Sequence, residues 1–198
     1  MSSNLTKRIA FAAVAIPLAL WIVWLGGWVL ALLTAVIAVL GVRELFDFSR
    51  RAGAFPLEGT GTALAAAAPI GTWLVVGGSI EAAVVDRWWP YLGALLFLGI
   101  LTLTLWFRGV EKRPLHSAAI TLMAPIYCGA LPAFIVLLRH QEFGVRSWPG
   151  AALVALPLAV TWIGDTAAMA VGKGVGGPKL APVVSPGKTW SGAVGRRR

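Results

Sequence analysis

The feature that most restricts this chain is a run of 34 residues, Ile9 to Val42, without Asp, Glu, Lys, Arg or His. Four more such runs follow: 22 residues from Gly59 to Ile80, 20 from Trp88 to Phe107, 22 from Ser117 to Leu138 and 18 from Ser147 to Gly164. A helix crosses a bilayer with about 20 apolar residues. The chain has 198 residues, 58% hydrophobic and 13% charged, with a mean hydropathy of +0.80. A water-soluble fold of this size cannot hide that much apolar surface, because a large share of any small fold stays exposed. The same numbers exclude a disordered chain, and the single cysteine, Cys128, excludes a disulfide scaffold. Seventeen Lys and Arg against eight Asp and Glu give a net charge of +9. Nucleic-acid binders are charge-rich throughout, so no nucleic-acid partner is expected. What remains is an integral membrane protein with basic connections.

The first run is too long for one crossing: at about 1.5 Å per residue it would stretch roughly 50 Å, against about 30 Å of hydrocarbon. Gly26-Gly27 lies at its middle between Trp24 and Trp28, which reads as two short helices joined by a tight turn at the membrane interface. One steeply tilted helix is the alternative. The expected architecture is an all-α polytopic bundle with spans at about 9–25, 28–42, 60–80, 88–107, 117–138 and 149–171, then a cytoplasmic polar loop or tail over 172–198. Six spans put both termini on one side with 14 of the 17 basic residues, leaving Arg87, Arg139 and Arg146 opposite. By the positive-inside rule that side is the cytoplasm. A signal peptide at Lys7-Arg8 does not fit, since no cleavage site leads into a soluble domain.

Candidate chemistry lies in polar residues at membrane depth and in the polar tail. Asp165, in Val160-Thr-Trp-Ile-Gly-Asp-Thr, falls inside the last span toward its cytoplasmic end. An intramembrane acid is costly to bury and therefore marks function by default; the plainer reading is a polar residue at a helix end. Thr161, four residues earlier, shares its face. The tail from Gly172 to Trp190 holds three lysines and no acid, and its glycines and prolines oppose regular helix. Such a segment can offer backbone N–H and ammonium groups to phosphate, or simply fix topology.

Two motif matches fail. Gly172-x-Gly174-x-x-Gly177 follows a membrane helix rather than a strand, and Pro178 blocks a receiving helix; Gly187-Lys188-Thr189 lacks the first P-loop glycine, where Pro182 stands. His116 and His140 read as ordinary surface histidines. Cys128 reads as a packing residue, and Arg43-Glu44 as an ion pair at the cytoplasmic surface.

Gly164-Asp165-Thr166, then Gly-Pro-Lys-Leu-Ala-Pro over 177–182 and Ser-Pro-Gly-Lys-Thr-Trp-Ser-Gly over 185–192, resemble the bacterial phosphatidate cytidylyltransferases, also called CDP-diacylglycerol synthases. The resemblance implies a multi-pass inner-membrane transferase of phospholipid biosynthesis. It would transfer CMP from CTP to phosphatidic acid, yielding CDP-diacylglycerol and pyrophosphate with Mg²⁺. It assigns Asp165 and Lys188 to catalysis, with Asp165 as a metal ligand acting through water. Lys179, Ser185, Lys188 and Thr189 would bind substrate phosphate, with membrane lipids as partners and a homodimer allowed.

The family pattern continues beyond this loop with further spans and a signature resembling Pro-Gly-His-Gly-Gly and Asp-Arg-x-Asp, whose acids are its main metal ligands. These 198 residues hold no such segment, so the chain reads as the N-terminal part of a longer family domain. Two other readings stay open: an inactive truncated family member, and a small transporter using Asp165.

Overall fold

The computed structural model describes residues 2–183 and 185–195. The 34-residue run breaks at Gly26, between α1 (Ser2–Leu25) and α2 (Gly27–Arg51). Gly26 and Gly27 have φ of 61° and 59°, a left-handed conformation that glycine alone adopts freely. Next come α3 (Glu58–Val76) and α4 (Ala82–Arg108). A further hydrophobic helix is built from α5 (Pro114–Pro125), a π-turn (Ile126–Ala130) and α6 (Leu131–His140), and α7 (Trp148–Val175) follows it. Among the described residues, five helical segments are long and apolar enough to cross a membrane: Gly27–Arg51, Glu58–Val76, Ala82–Arg108, Pro114–His140 and Trp148–Val175. The protein is thus an all-α polytopic membrane bundle. The apolar part of α1, Ala13–Leu25, is shorter than a standard crossing.

The break at Gly26 is held from far along the chain. Arg139, 0% exposed, donates from Nε to the Val23 carbonyl at 2.7 Å, from Nη2 to Trp24 at 2.7 Å and from Nη1 to Gly144 at 3.1 Å. Val23 and Trp24 lie in the last turn of α1, where carbonyls lack helical partners. On the other side of the break the Gly27 N–H donates to His140 Nε2 at 2.8 Å. Nε2 is therefore the acceptor, and the ring proton on Nδ1 goes to the Val136 carbonyl at 2.8 Å. Adjacent residues of α6 thus cap both new helix ends. His140 is no ordinary surface histidine, contrary to the sequence expectation; nothing near it in sequence announces a partner 113 residues away. Ile22, Val23 and Trp73 pack here on Leu30, Ala31 and Val136.

The second cluster joins Ala38, Val42 and Phe46 of α2 with Ala65 of α3 and Ala124 of α5. Cys128 packs against it, as a small apolar residue would. Small side chains let membrane helices approach closely where no hydrophobic effect drives them together. The α2–α3 connection is tied down by hydrogen bonds. Phe55 N–H donates to Ser117 Oγ at 2.8 Å and Leu57 N–H to Thr121 Oγ1 at 2.9 Å, while Arg108 donates to the Phe55 and Pro56 carbonyls at 2.9 and 3.0 Å. Ser117 and Thr121 are buried, so the loop's backbone groups find partners without water.

Two local expectations change. Among the described residues, the ion pairs join Arg50 to Asp47 and Glu58, not Arg43 to Glu44. The described part of the tail, 172–183 and 185–195, is also more structured than a polar loop: α7 runs to Val175, and a two-stranded hairpin and a short helix follow.

Candidate functional site

Contacts divide the chain into two units, Met1–Ala151 and Ala152–Arg198. Asp165, Lys179, Ser185, Lys188 and Thr189 all lie in the second. There α7 ends where Gly176 and Gly177 turn to φ of 67° and 111°, a glycine stop followed by Pro178. The antiparallel strands β1 (Lys179–Ala181) and β2 (Ser185–Thr189) then pair Lys179 with Thr189 and Ala181 with Ser185, with an irregularity between the rungs. The short helix α8 (Trp190–Gly195) closes the unit.

Hydrogen bonds fold this hairpin against the helix end. Trp190 N–H donates to the Pro178 carbonyl at 3.1 Å. Ser191 Oγ donates to the Gly176 carbonyl, so its one proton is taken and Thr189 Oγ1 must be the donor in the 3.0 Å contact with Ser191 Oγ. Thr189 Oγ1 also accepts from the Gly192 N–H at 3.3 Å, a side-chain cap on α8. Two close approaches seat the unit. A Cβ on Gly172 would lie 2.7 Å from Thr189 Oγ1, and one on Gly192 2.5 Å from the Ala168 carbonyl oxygen.

Asp165, Ala168 and Gly172 recur at i, i+3 and i+7, so they share one face of α7. This is the face onto which Thr189 and Gly192 close. Asp165 stands two turns before Gly172, about 10 Å along the axis. The Thr161 hydroxyl donates to the Pro157 carbonyl at 2.8 Å, so its proton is not directed to Asp165. Lys179 and Lys188 are exposed. Strand alternation puts Lys188 on the opposite face of the hairpin from Thr189 and its partner Lys179. The hairpin therefore carries one ammonium group on each face.

Thus the structure brings Lys179, Ser185, Lys188 and Thr189 into one hairpin and sets it on the Asp165 face. Thr189, expected to donate to phosphate, has its proton engaged by Ser191. Sequence reasoning missed the positioning roles of Ser191, Gly172 and Gly192; the signal was Thr189 three residues before Gly192, the spacing of a helix cap. Among the described residues, no group of three or more His, Cys, Asp or Glu side chains could hold a metal ion.

The fold and site thus define a polytopic helical membrane protein whose α7 carries an acid, with a basic glycine- and proline-rich hairpin folded back on the same helix face. The model of the Cytidylyltransferase family matches residues 6–196, and the chain belongs to that family. The phosphatidate cytidylyltransferase of Brucella suis biovar 1 (strain 1330) is 34% identical over 203 residues, covering 98% of this chain and 63% of the relative. That of Synechocystis sp. is 27% identical over 210 residues, covering 96% of this chain and 67% of the relative. The Haemophilus influenzae protein of the same name is 32% identical over 87 residues, 43% of this chain and 28% of its own length. The chain thus spans less than two thirds of the length of the Brucella relative. No solved structure matches it.

Proposed function

We propose that the chain carries the phosphate-binding part of a phosphatidate cytidylyltransferase. An oxygen of the phosphatidic acid phosphate attacks the α-phosphorus of CTP. The new P–O bond forms as the bond to the β-phosphate oxygen breaks, giving CDP-diacylglycerol and pyrophosphate. Such transfers need positioning and charge neutralisation more than covalent help from protein. Lys179 and Lys188 supply the neutralising charge, and Ser185 donates to a phosphate oxygen. Thr189 positions the hairpin through its bonds to Ser191 and Gly192. Asp165 orients the groups gathered over its helix face. The observation that carries this reading is the basic hairpin seated on the Asp165 face of α7, and the names of the relatives support the substrates.

Mg²⁺ fits this chain as an ion carried in on the triphosphate, because it keeps several waters and takes one or two carboxylates alongside substrate phosphates. Asp165 is the residue that would hold it, and the ion would supply charge neutralisation on the phosphates. The distribution of basic residues supports an inner-membrane location with both termini in the cytoplasm, where soluble CTP meets the lipid headgroup. A homodimer belongs to the same proposal.

The test is CDP-diacylglycerol formation from labelled CTP and phosphatidic acid in proteoliposomes holding the 198-residue chain. Lys188→Gln is expected to lower turnover about 10²-fold, as for loss of one charge-stabilising donor, with Asp165→Asn also strongly reduced. Absence of both product and CTP binding by the unsubstituted chain overturns the proposal. Undiminished turnover in both variants removes the assigned roles.

A further inference from the structure

A groove between α2 and α5 takes no part in the site above. It encloses about 250 Å³ and is walled by Leu45, Phe48 and Ala52 on one side and Ile120, Met123 and Ala124 on the other. The Ser49 hydroxyl, also at its wall, is turned to the Ala54 carbonyl at 3.3 Å. Both bordering helices belong to segments long and apolar enough to span a bilayer, and the groove lies where α2 becomes rich in charge, beside Glu44, Asp47 and Arg50.

One end of the groove is cationic. The Arg51 guanidinium lies over the Phe48 ring, 5.9 Å from its centroid, and Arg113 Nη1 lies 3.5 Å from the Ala52 carbonyl. Phe48 and Ala52 are both groove walls, so each guanidinium group contacts a wall residue. Arg113 adopts φ 47° and ψ 60°, a left-handed conformation that costs a non-glycine residue energy and persists only where its surroundings hold it. The nearby acids Asp47 and Glu58 are engaged by Arg50, and Arg108 is directed to the Phe55 and Pro56 carbonyls. Glu44 and Glu111 are the remaining acids of these segments. Against them stand Arg43, Arg51, Arg108, Lys112 and Arg113, so the mouth keeps a positive excess.

We propose that this groove binds an anionic phospholipid, with one acyl chain along the α2–α5 walls and the phosphate between Arg51 and Arg113. Guanidinium groups pair with phosphate oxygens in a bidentate fork, and the apolar walls accept the chain. The charge at the mouth selects an anionic over a zwitterionic headgroup.

The experiment uses the purified 198-residue chain in nanodiscs doped with a lipid bearing a photoreactive acyl chain, as phosphatidylglycerol or phosphatidylcholine. Phosphatidylglycerol is chosen because the proposed transfer reaction does not use it, so failure of one reading leaves the other standing. Each basic residue near an anionic lipid changes affinity about fivefold. Labelling of residues 45–52 and 120–124 is therefore expected to favour phosphatidylglycerol by at least about fivefold. Arg51→Gln with Arg113→Gln should reduce it to the phosphatidylcholine level. Ala52→Phe, which fills the groove, should lower labelling by both lipids. Arg51→Gln alone, at an exposed side chain, serves if the double variant fails to fold by circular dichroism. Equal labelling by the two lipids, or an undiminished preference in Arg51→Gln, overturns the proposal.

Discussion

Replacing Arg139 by methionine keeps the length of the side chain and removes its donors. The guanidinium is fully buried and serves three carbonyls, those of Val23, Trp24 and Gly144. Hydrogen bonds from a charged donor are worth about 1.5–3 kcal/mol each, and a buried acceptor left unpaired costs about 1–3 kcal/mol. Removing the charge also removes its desolvation penalty, which offsets part of that loss. The net expectation for Arg139→Met is a loss of about 3 kcal/mol, within the range for breaking a buried charged network. Arg139→Lys should lose less, because an ammonium still donates, yet some loss should remain, because it cannot match the fork that reaches three carbonyls. Unfolding by SDS in mixed micelles, followed by tryptophan fluorescence, reads the change: Trp24 lies 5.7 Å from Trp148 beside the clamp. His140→Ala removes the acceptor for the Gly27 N–H on the same break and should lose about 1–2 kcal/mol. The two substitutions touch one corner, so their effects should couple by about 0.5 kcal/mol or more. A loss below about 1 kcal/mol in Arg139→Met, far short of the three lost bonds, would refute the clamp, as would wild-type stability in Arg139→Lys.

Gly192→Val puts a Cβ where the Ala168 carbonyl oxygen leaves only 2.5 Å, and overpacking of this kind costs about 1–3 kcal/mol. The hairpin should lift from α7, and tryptic cleavage after Lys179 and Lys188 should accelerate about tenfold, as a change of about 1.4 kcal/mol in opening implies; an unchanged rate would count against the seating. Ser117→Ala with Thr121→Ala strips the acceptors from the Phe55 and Leu57 amides, and should lower stability by about 2–5 kcal/mol. Because the Arg108 bonds to this loop remain, hydrogen exchange should rise at the Phe55 and Leu57 amides before it rises in α3.

The five long apolar helices were legible because charge is so costly in hydrocarbon that its absence marks membrane depth. The break at Gly26-Gly27 was legible for a local reason, since two glycines between tryptophans leave few other roles. The clamp on that break was not legible. Arg139 reads from its neighbours as a helix-end charge, and only the folded chain places it against carbonyls 115 and 116 residues away. In the candidate site, Asp165 and the lysines stood out by residue type. The strands did not, because pieces of three and five residues are too short to show a period. Thr189 looked like a phosphate donor until its proton was traced to Ser191, a matter of geometry rather than composition.

The Arg139–His140 clamp also sets an order of assembly. Chains are made from the N-terminus, so α1 and α2 leave the ribosome long before residue 140 exists. Until α6 arrives, the last carbonyls of α1 and the first amide of α2 lack the groups that cap them. The corner at Gly26 is therefore among the first features synthesised and among the last completed. During that interval the stretch can sample one continuous helix or two. Sequence changes near Arg139 would then act on how the N-terminus is inserted, through residues that lie more than a hundred positions downstream.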